Sequence, residues 1–186
     1  MRVEQVPYKD TWPREFEELR ATIARAVGDL ALRIDHIGST SVPGMSAKDV
    51  IDIQITVTSL DDADELAQRT ERLGFVRRPY FIDHIPPGWQ GDEREWGKIV
   101  LAPPDGMRLC NVHVREAGRA NQRYALLFRD YMRAHAHAVT TWIVMKQRLA
   151  EQYADDLETY GFVKDAATDV LMLAAEEWAA REGWTP

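Results

Sequence analysis

36-HIGSTSVPGMSAKDVIDIQITV-57 joins two features that belong together in phosphate chemistry. Gly38 follows the short strand-like run 32-LRIDHIG-38, and a residue without a Cβ there lets the backbone come close to a ligand. Ser39, Thr40 and Ser41 then supply hydroxyls, and the amides of such a turn can line an anion-binding concavity. A dozen residues on, 49-DVIDIQITV-57 alternates strictly. Ile51, Ile53, Ile55 and Val57 point to one face, and Asp52, Gln54 and Thr56 to the other, the period of a strand. A carboxylate at Asp52 is the residue type that holds Mg²⁺ against phosphate oxygens. Two residues on, Gln54 offers an amide oxygen that can coordinate but carries no charge.

Around this stretch the chain reads as an α/β (α+β) protein. Phe16, Leu19, Ile23, Val27 and Leu30 make one apolar helical face in 13–30, with Pro13 suited to a first turn and Glu15 to the positive end of the helix. An acid-rich surface helix is expected over 60–74, ended by Gly74. A weak strand near 75–78 leads into a long loop, 81-FIDHIPPGWQGDERE-95, and two strands follow, 96–102 and 107–114, joined by 103-PPDG-106. In the second of these Leu109, Asn111 and His113 share one side. From about residue 119 three helical stripes succeed one another. Tyr124, Leu127, Phe128 and Tyr131 form the first, and Trp142, Met145, Leu149 and Tyr153 the second. Phe162, Ala166, Val170, Leu173 and Trp178 form the third. The expectation is a single domain over 1–186, with an α/β core to residue 118 and a helical extension over 119–186.

Composition narrows the function. The 186 residues carry a net charge of −7 with no long basic run, which argues against general nucleic-acid binding. A single cysteine, Cys110, rules out an intrachain disulfide and a multi-cysteine zinc site. The N-terminus lacks the apolar core of a signal peptide and no window approaches a membrane span. A soluble cytoplasmic protein without membrane contact is expected.

The Gly-Ser turn followed by an acidic strand resembles the active-site opening of the nucleotidyltransferase superfamily. Read in order, VEQVPYKDTWPREFEELR, HIGSTSVPGMSAKDVIDI, NVHVREAG and LLFRDYMRAH resemble the GrpB family from about residue 2 to 175. That resemblance implies a nucleotidyltransferase-like fold: a small mixed sheet flanked by helices, with a helical segment after it. It also brings a domain that occurs fused to dephospho-CoA kinase in some bacteria, hence a possible protein partner in CoA metabolism.

Under this reading Gly38, Ser39, Thr40 and Ser41 hold phosphates and Asp52 holds the metal. His113, where such enzymes often place a third acid, is a metal ligand or base. Gln54 stands in the second acidic position. Lys48, at the entrance of the Asp52 strand, is the first choice to neutralise phosphate, with Arg94, Lys98 and Arg129 as further cations. Arg133 reads as a solvated partner of Arg129 on one helix face. Asp83 and His84 in the long loop read first as a solvated pair, with closure over a ligand the second reading, and for Trp89 and Trp96 at its borders stacking on a nucleobase is likewise the lesser reading. His135 and His137 cannot share a helical face and are not expected to bind metal. Three functions remain open. One is Mg²⁺-dependent nucleotidyl transfer from an NTP to a small acceptor. The second is a non-catalytic module binding a nucleotide or CoA-like ligand, and the third a purely structural domain.

Overall fold

The computed structural model describes residues 4–186, with the backbone alone for residues 62 and 63; the opening residues of the N-terminal motif lie outside that range. In chain order the elements are α1 (Trp12–Val27), β1 (Arg33–Ile37), β2 (Ile51–Val57), α2 (Ala63–Glu71), β3 (Val76–Arg78), β4 (Ile99–Ala102), β5 (Cys110–Glu116), α3 (Ala120–Ala134), α4 (Ala136–Gln152) and α5 (Leu157–Glu182). Short 3₁₀ turns occupy Gly28–Leu30, Ser39–Ser41, Leu60–Asp62 and Glu93–Trp96. The five strands form one mixed sheet in the order β1-β2-β5-β4-β3. β2 runs parallel to β5, and the other neighbours are antiparallel.

One face of this sheet is the main core. Ile51, Ile53 and Ile55 of β2 are fully buried, and with Cys110, Val112 and Val114 of β5 they pack against Trp12, Phe16, Leu19, Ile23 and Val27 of α1 and Leu66 of α2. Each such aliphatic side chain contributes about 1.5–3 kcal/mol by leaving water. Pro13 lies in the first turn of α1, as its fixed φ favours. The helix stops three residues short of the expected end, because Gly28 turns out at φ +57° and Leu30 belongs to the 3₁₀ turn.

The opposite face is polar, open to solvent at Asp52 and Asn111 and covered further along the strands. In the parallel register Asp52, Gln54 and Thr56 sit beside Asn111, His113 and Arg115. Gln54, Thr56 and Arg115 are buried because α3 lies over them. A second core of Val42, Met45, Leu127, Phe128, Met132, Trp142, Met172 and Ala175 ties α3, α4 and α5 to the loop that follows β1. The third helical stripe is not a core face as its spacing suggested. Phe162, Val170 and Leu173 are 77%, 70% and 69% exposed, and α5 buries Tyr160, Met172, Ala175 and Ala179 instead. The strand expected over 96–102 begins only at Ile99, since Glu93–Trp96 is a 3₁₀ turn capped by the Asp92 side chain. Among the described residues no helix is long and apolar enough to cross a membrane.

Candidate functional site

The site opens where β1 ends. Gly38 has φ +69° and ψ −170°, a conformation that is essentially glycine's alone. A Cβ there would stand 2.6 Å from Oδ2 of Asp52, so the missing side chain is what lets the turn sit directly on the carboxylate. The turn is held from inside. Ser41 Oγ donates to Gly38 O at 2.6 Å, and Thr40 Oγ1 pairs with His36 Nε2 at 3.0 Å. His36 stacks on Phe16 and is pushed down to about 4 by burial. The hydroxyls of Thr40 and Ser41 therefore shape the turn, and Ser39 is the one left facing other chemistry.

Asp52 lines a cleft of about 320 Å³, with Gly38, Asn111 and His113 on the sheet side and Tyr124, Phe128, Trp142 and Lys164 on the helix side. Its side chain is 30% exposed. Asn111 Nδ2 donates to Asp52 Oδ1 at 2.9 Å, and His113 Nε2 stands 4.0 Å from the same oxygen. Burial alone would raise the pKa of Asp52. The neighbouring His113, the Asn111 hydrogen bond and the charge of Lys48 outweigh it, so the carboxyl lies below its ordinary range. Burial moves His113 the other way for a base, downward, with the Arg115 and Lys98 charges adding to it and Asp52 opposing. Its Nδ1 is buried without a partner, so no third group fixes the tautomer, as one normally does for a histidine base.

Three lysines gather around the turn from three separate segments. Lys146 of α4 is only 3% exposed, yet its Nζ donates to Ser39 Oγ at 3.0 Å and to the Ser46 carbonyl rather than to any carboxylate. Burial, then the charges of Lys164 and Lys48, push it down to about 7. Lys48, over the Tyr160 ring at 5.8 Å, is likewise lowered by burial, with Asp52 pulling back. Lys164 lies on the cleft wall beside Asp165. Spacing did not find Lys146 or Lys164. Lys146 left one signal: it lies one helical turn after Trp142, on that helix's buried side.

Other expected residues lie elsewhere. Gln54 is fully buried; its Oε1 accepts from Arg115 at 2.6 Å and its Nε2 donates to Gln122 O at 3.2 Å. It is therefore sealed off from the cleft rather than offered to a metal. Lys98 pairs with Asp83 at 2.6 Å, and Asp83 also takes Arg115 at 2.8 Å and Asn121 at 3.1 Å. Asp83 thus pins the long loop to β5 and α3. Arg94, 85% exposed and 3.4 Å from Asp92, is outside the cleft. Arg129 is a strut, reaching Asp35 and the His36 carbonyl at 3.3 Å each and bracing Asp130 at 2.7 Å. Arg133 keeps the exposed side chain expected of a helix surface, and its guanidinium also donates twice to Ser41 O, at 3.0 and 2.8 Å. Cys110, pushed up to about 12 by burial, is no nucleophile.

The residues present suit a particular kind of cation site. Among the described residues no group of three or more His, Cys, Asp or Glu side chains is placed to hold a metal ion. A two-metal centre needs several carboxylates, and with Gln54 turned away the cleft offers Asp52 alone. One Mg²⁺ sharing Asp52 with the oxygens of a phosphate ligand fits the donor set, since Mg²⁺ commonly uses one or two carboxylates plus phosphates and water.

A family model described as GrpB protein matches residues 2–172. The chain belongs to the GrpB family. A dephospho-CoA kinase from Mycolicibacterium paratuberculosis is 38% identical over 99% of the chain and 48% of its own length. The UPF0157 protein YqkA of Bacillus subtilis is 30% identical over 95% of the chain and 48% of its own length. This GrpB chain thus spans about half the length of these relatives. The crystal structure of a conserved GrpB protein from Enterococcus faecalis superposes with a TM-score of 0.74 at 26% identity, covering 98% of this chain and 100% of the other. Cid1 in complex with its short product ApU shares the fold at TM-score 0.52 and 14% identity, over 84% of this chain and 48% of that one. The expected nucleotidyltransferase-like α/β fold is the one observed.

Proposed function

We propose that this GrpB chain binds the phosphate groups of a nucleotide-type ligand at the Ser39 turn, with one divalent cation at Asp52. The observation that carries this is Lys146, a buried amine held against Ser39 with two further lysines near it and no carboxylate in ion-pair contact, Asp52 acting on it only through its charge. Burying a charged amine without a paired counter-ion is costly, which favours its neutral form, and a polyphosphate supplies the charge that lets it hold its proton. Lys146 and Lys164 would take the phosphates from the helix side. Ser39 would orient them, and Asp52 would hold the cation, which lowers their repulsion toward the carboxylate. The aromatic wall of Phe128, Trp142 and Tyr124 would exclude water beside them. Nucleoside triphosphates and CoA-type nucleotides share this chemistry, and the dephospho-CoA kinase relatives favour including the second.

Binding without turnover is the better supported form of this reading. A lone carboxylate and a histidine without an orienting partner are sparse equipment for transfer, which leaves nucleotidyl transfer through Asp52 and His113 as the second reading. Calorimetry with ATP and with CoA, with and without Mg²⁺, tests both. Binding that Asp52→Asn weakens in Mg²⁺ but not in EDTA is expected. No binding heat with any nucleotide would sink the proposal, and nucleotide consumption abolished by Asp52→Asn would promote the transfer reading over it.

A further inference from the structure

Two further cavities neighbour the Asp52 cleft. One of about 150 Å³ shares Tyr124 and Lys164 with it and is lined by Asp83, His84 and Arg115. The other, of about 430 Å³, is lined by Trp89, Trp96, Met172 and Leu173. Tyr124 borders all three. The far cavity is within the size of small-molecule sites, about 300–1,000 Å³, and has their make-up of apolar walls with a few polar groups.

Its walls are largely aromatic. Trp89 and Trp96 meet edge to face with centroids 5.5 Å apart, and Trp96 meets Tyr124 in the same way at 5.6 Å. Trp89 is folded into place over Gly91, where a Cβ would lie 2.7 Å from the indole. The polar groups at the edge are Asp169, Glu176 and Arg123. Asp169 accepts from Tyr124 at 2.9 Å and pairs with His84 at 2.7 Å, and Glu176 pairs with Arg123. Carboxylate oxygens keep lone pairs beyond one hydrogen bond each, so both can still accept from an amino group. Asp83 and His84, adjacent at the start of the loop that carries Trp89 and Trp96, tie it to Arg115 and Asp169.

We propose that this far cavity takes a second molecule, bearing an amino-substituted planar heteroaromatic ring of the nucleoside type, across Tyr124 from the cleft of the phosphate ligand. The inference rests on the reading of the Asp52 end only for what occupies that end. The two cavities share Tyr124 but no other aromatic side chain: Phe128 and Trp142 line the Asp52 cleft, Trp89 and Trp96 the far cavity.

The test titrates the whole chain with adenosine, cytidine and uridine, followed by tryptophan fluorescence and calorimetry. Adenosine or cytidine is expected to bind, more tightly than uridine, which has no amino group. Trp89→Ala is expected to weaken that binding about tenfold or more. Gly91→Ala, which displaces the indole without forcing the backbone, is expected to do the same. ATP binding should stay within twofold of the original in both variants. Absence of nucleoside binding to the unaltered protein overturns the proposal, as do equal affinities for uridine and cytidine or an unchanged affinity in both variants. An equal loss of ATP binding in Trp89→Ala also overturns it, because the ring would then belong to the phosphate ligand. Failure of the Asp52 reading looks different: inorganic triphosphate does not bind, while nucleoside binding persists.

Discussion

Replacing Lys146 by methionine separates the charge of the buried amine from its bulk. In the folded protein this amine sits at about 7, against 10.5 for an ordinary lysine. A shift of that size corresponds to about 5 kcal/mol between the protonation states. In the absence of ligand the unfolded chain binds this proton more readily than the folded one. Stability should therefore rise with pH between about 7 and 10.5, and be independent of this group below 7. Phosphate reverses the preference. At pH 8 Lys146 is mostly neutral before binding, while a terminal phosphate with pKa about 6 is fully ionised. Binding should then draw close to one proton onto Lys146. Affinity should be greatest between about pH 6 and 7, where the phosphate is ionised and the amine protonated, and fall by up to tenfold per unit above that. Lys146→Met loses a hydrogen bond to a charged group, worth about 1.5–3 kcal/mol, or roughly 10- to 150-fold in affinity. The assay is ATP titration at pH 8 in buffers of different ionisation enthalpy. Wild-type binding heats should vary with buffer and those of Lys146→Met should not. Buffer-independent wild-type heats, or undiminished affinity in the variant, would refute the reasoning.

Two other perturbations read the frame of the site. Gly38→Ala must place a Cβ against Asp52 in a backbone region closed to alanine, and a loss of about 1–3 kcal/mol in urea denaturation is expected; an unchanged midpoint would show that the turn relaxes freely. Asp83→Asn removes the counter-charge of Arg115 and Lys98, all three 16% exposed or less, and should cost about 3–5 kcal/mol. Burial opposes the charge on Asp83, but Arg115 and Lys98 prevail and hold its pKa well below the usual value. Its stabilisation is therefore complete above about pH 4 and lost only as the pH falls below that. Wild type should lose stability on acidification from pH 4 more steeply than the variant, and parallel curves would count against the assignment.

What could be read from the chain beforehand was local. The alternation of 51–57 put Asp52 and the isoleucines on opposite faces, and the Gly-Ser turn marked where the backbone closes on Asp52. Residues whose roles depend on distant packing were misread or missed. Arg133 has the spacing of a surface group, yet its partner, Ser41 O, lies 92 residues away. Lys146 became part of the site only because α4 packs behind the loop after β1. Phe162, Val170 and Leu173 have the period of a core helix, but periodicity cannot tell which stripe of α5 is covered.

The Arg115–Gln54 contact also limits redesign. Placing an acid at position 54 reads as the obvious route to a two-carboxylate metal site. In this fold the new carboxylate would meet the Arg115 guanidinium, which now reaches the Gln54 oxygen at 2.6 Å, and form an internal ion pair behind the sheet face. Conversion would require turning Arg115 out, which in turn frees Asp83 and the loop it anchors. The step from one carboxylate to two is therefore at least a three-residue problem, and any single-site attempt should yield a more rigid protein rather than a more active one.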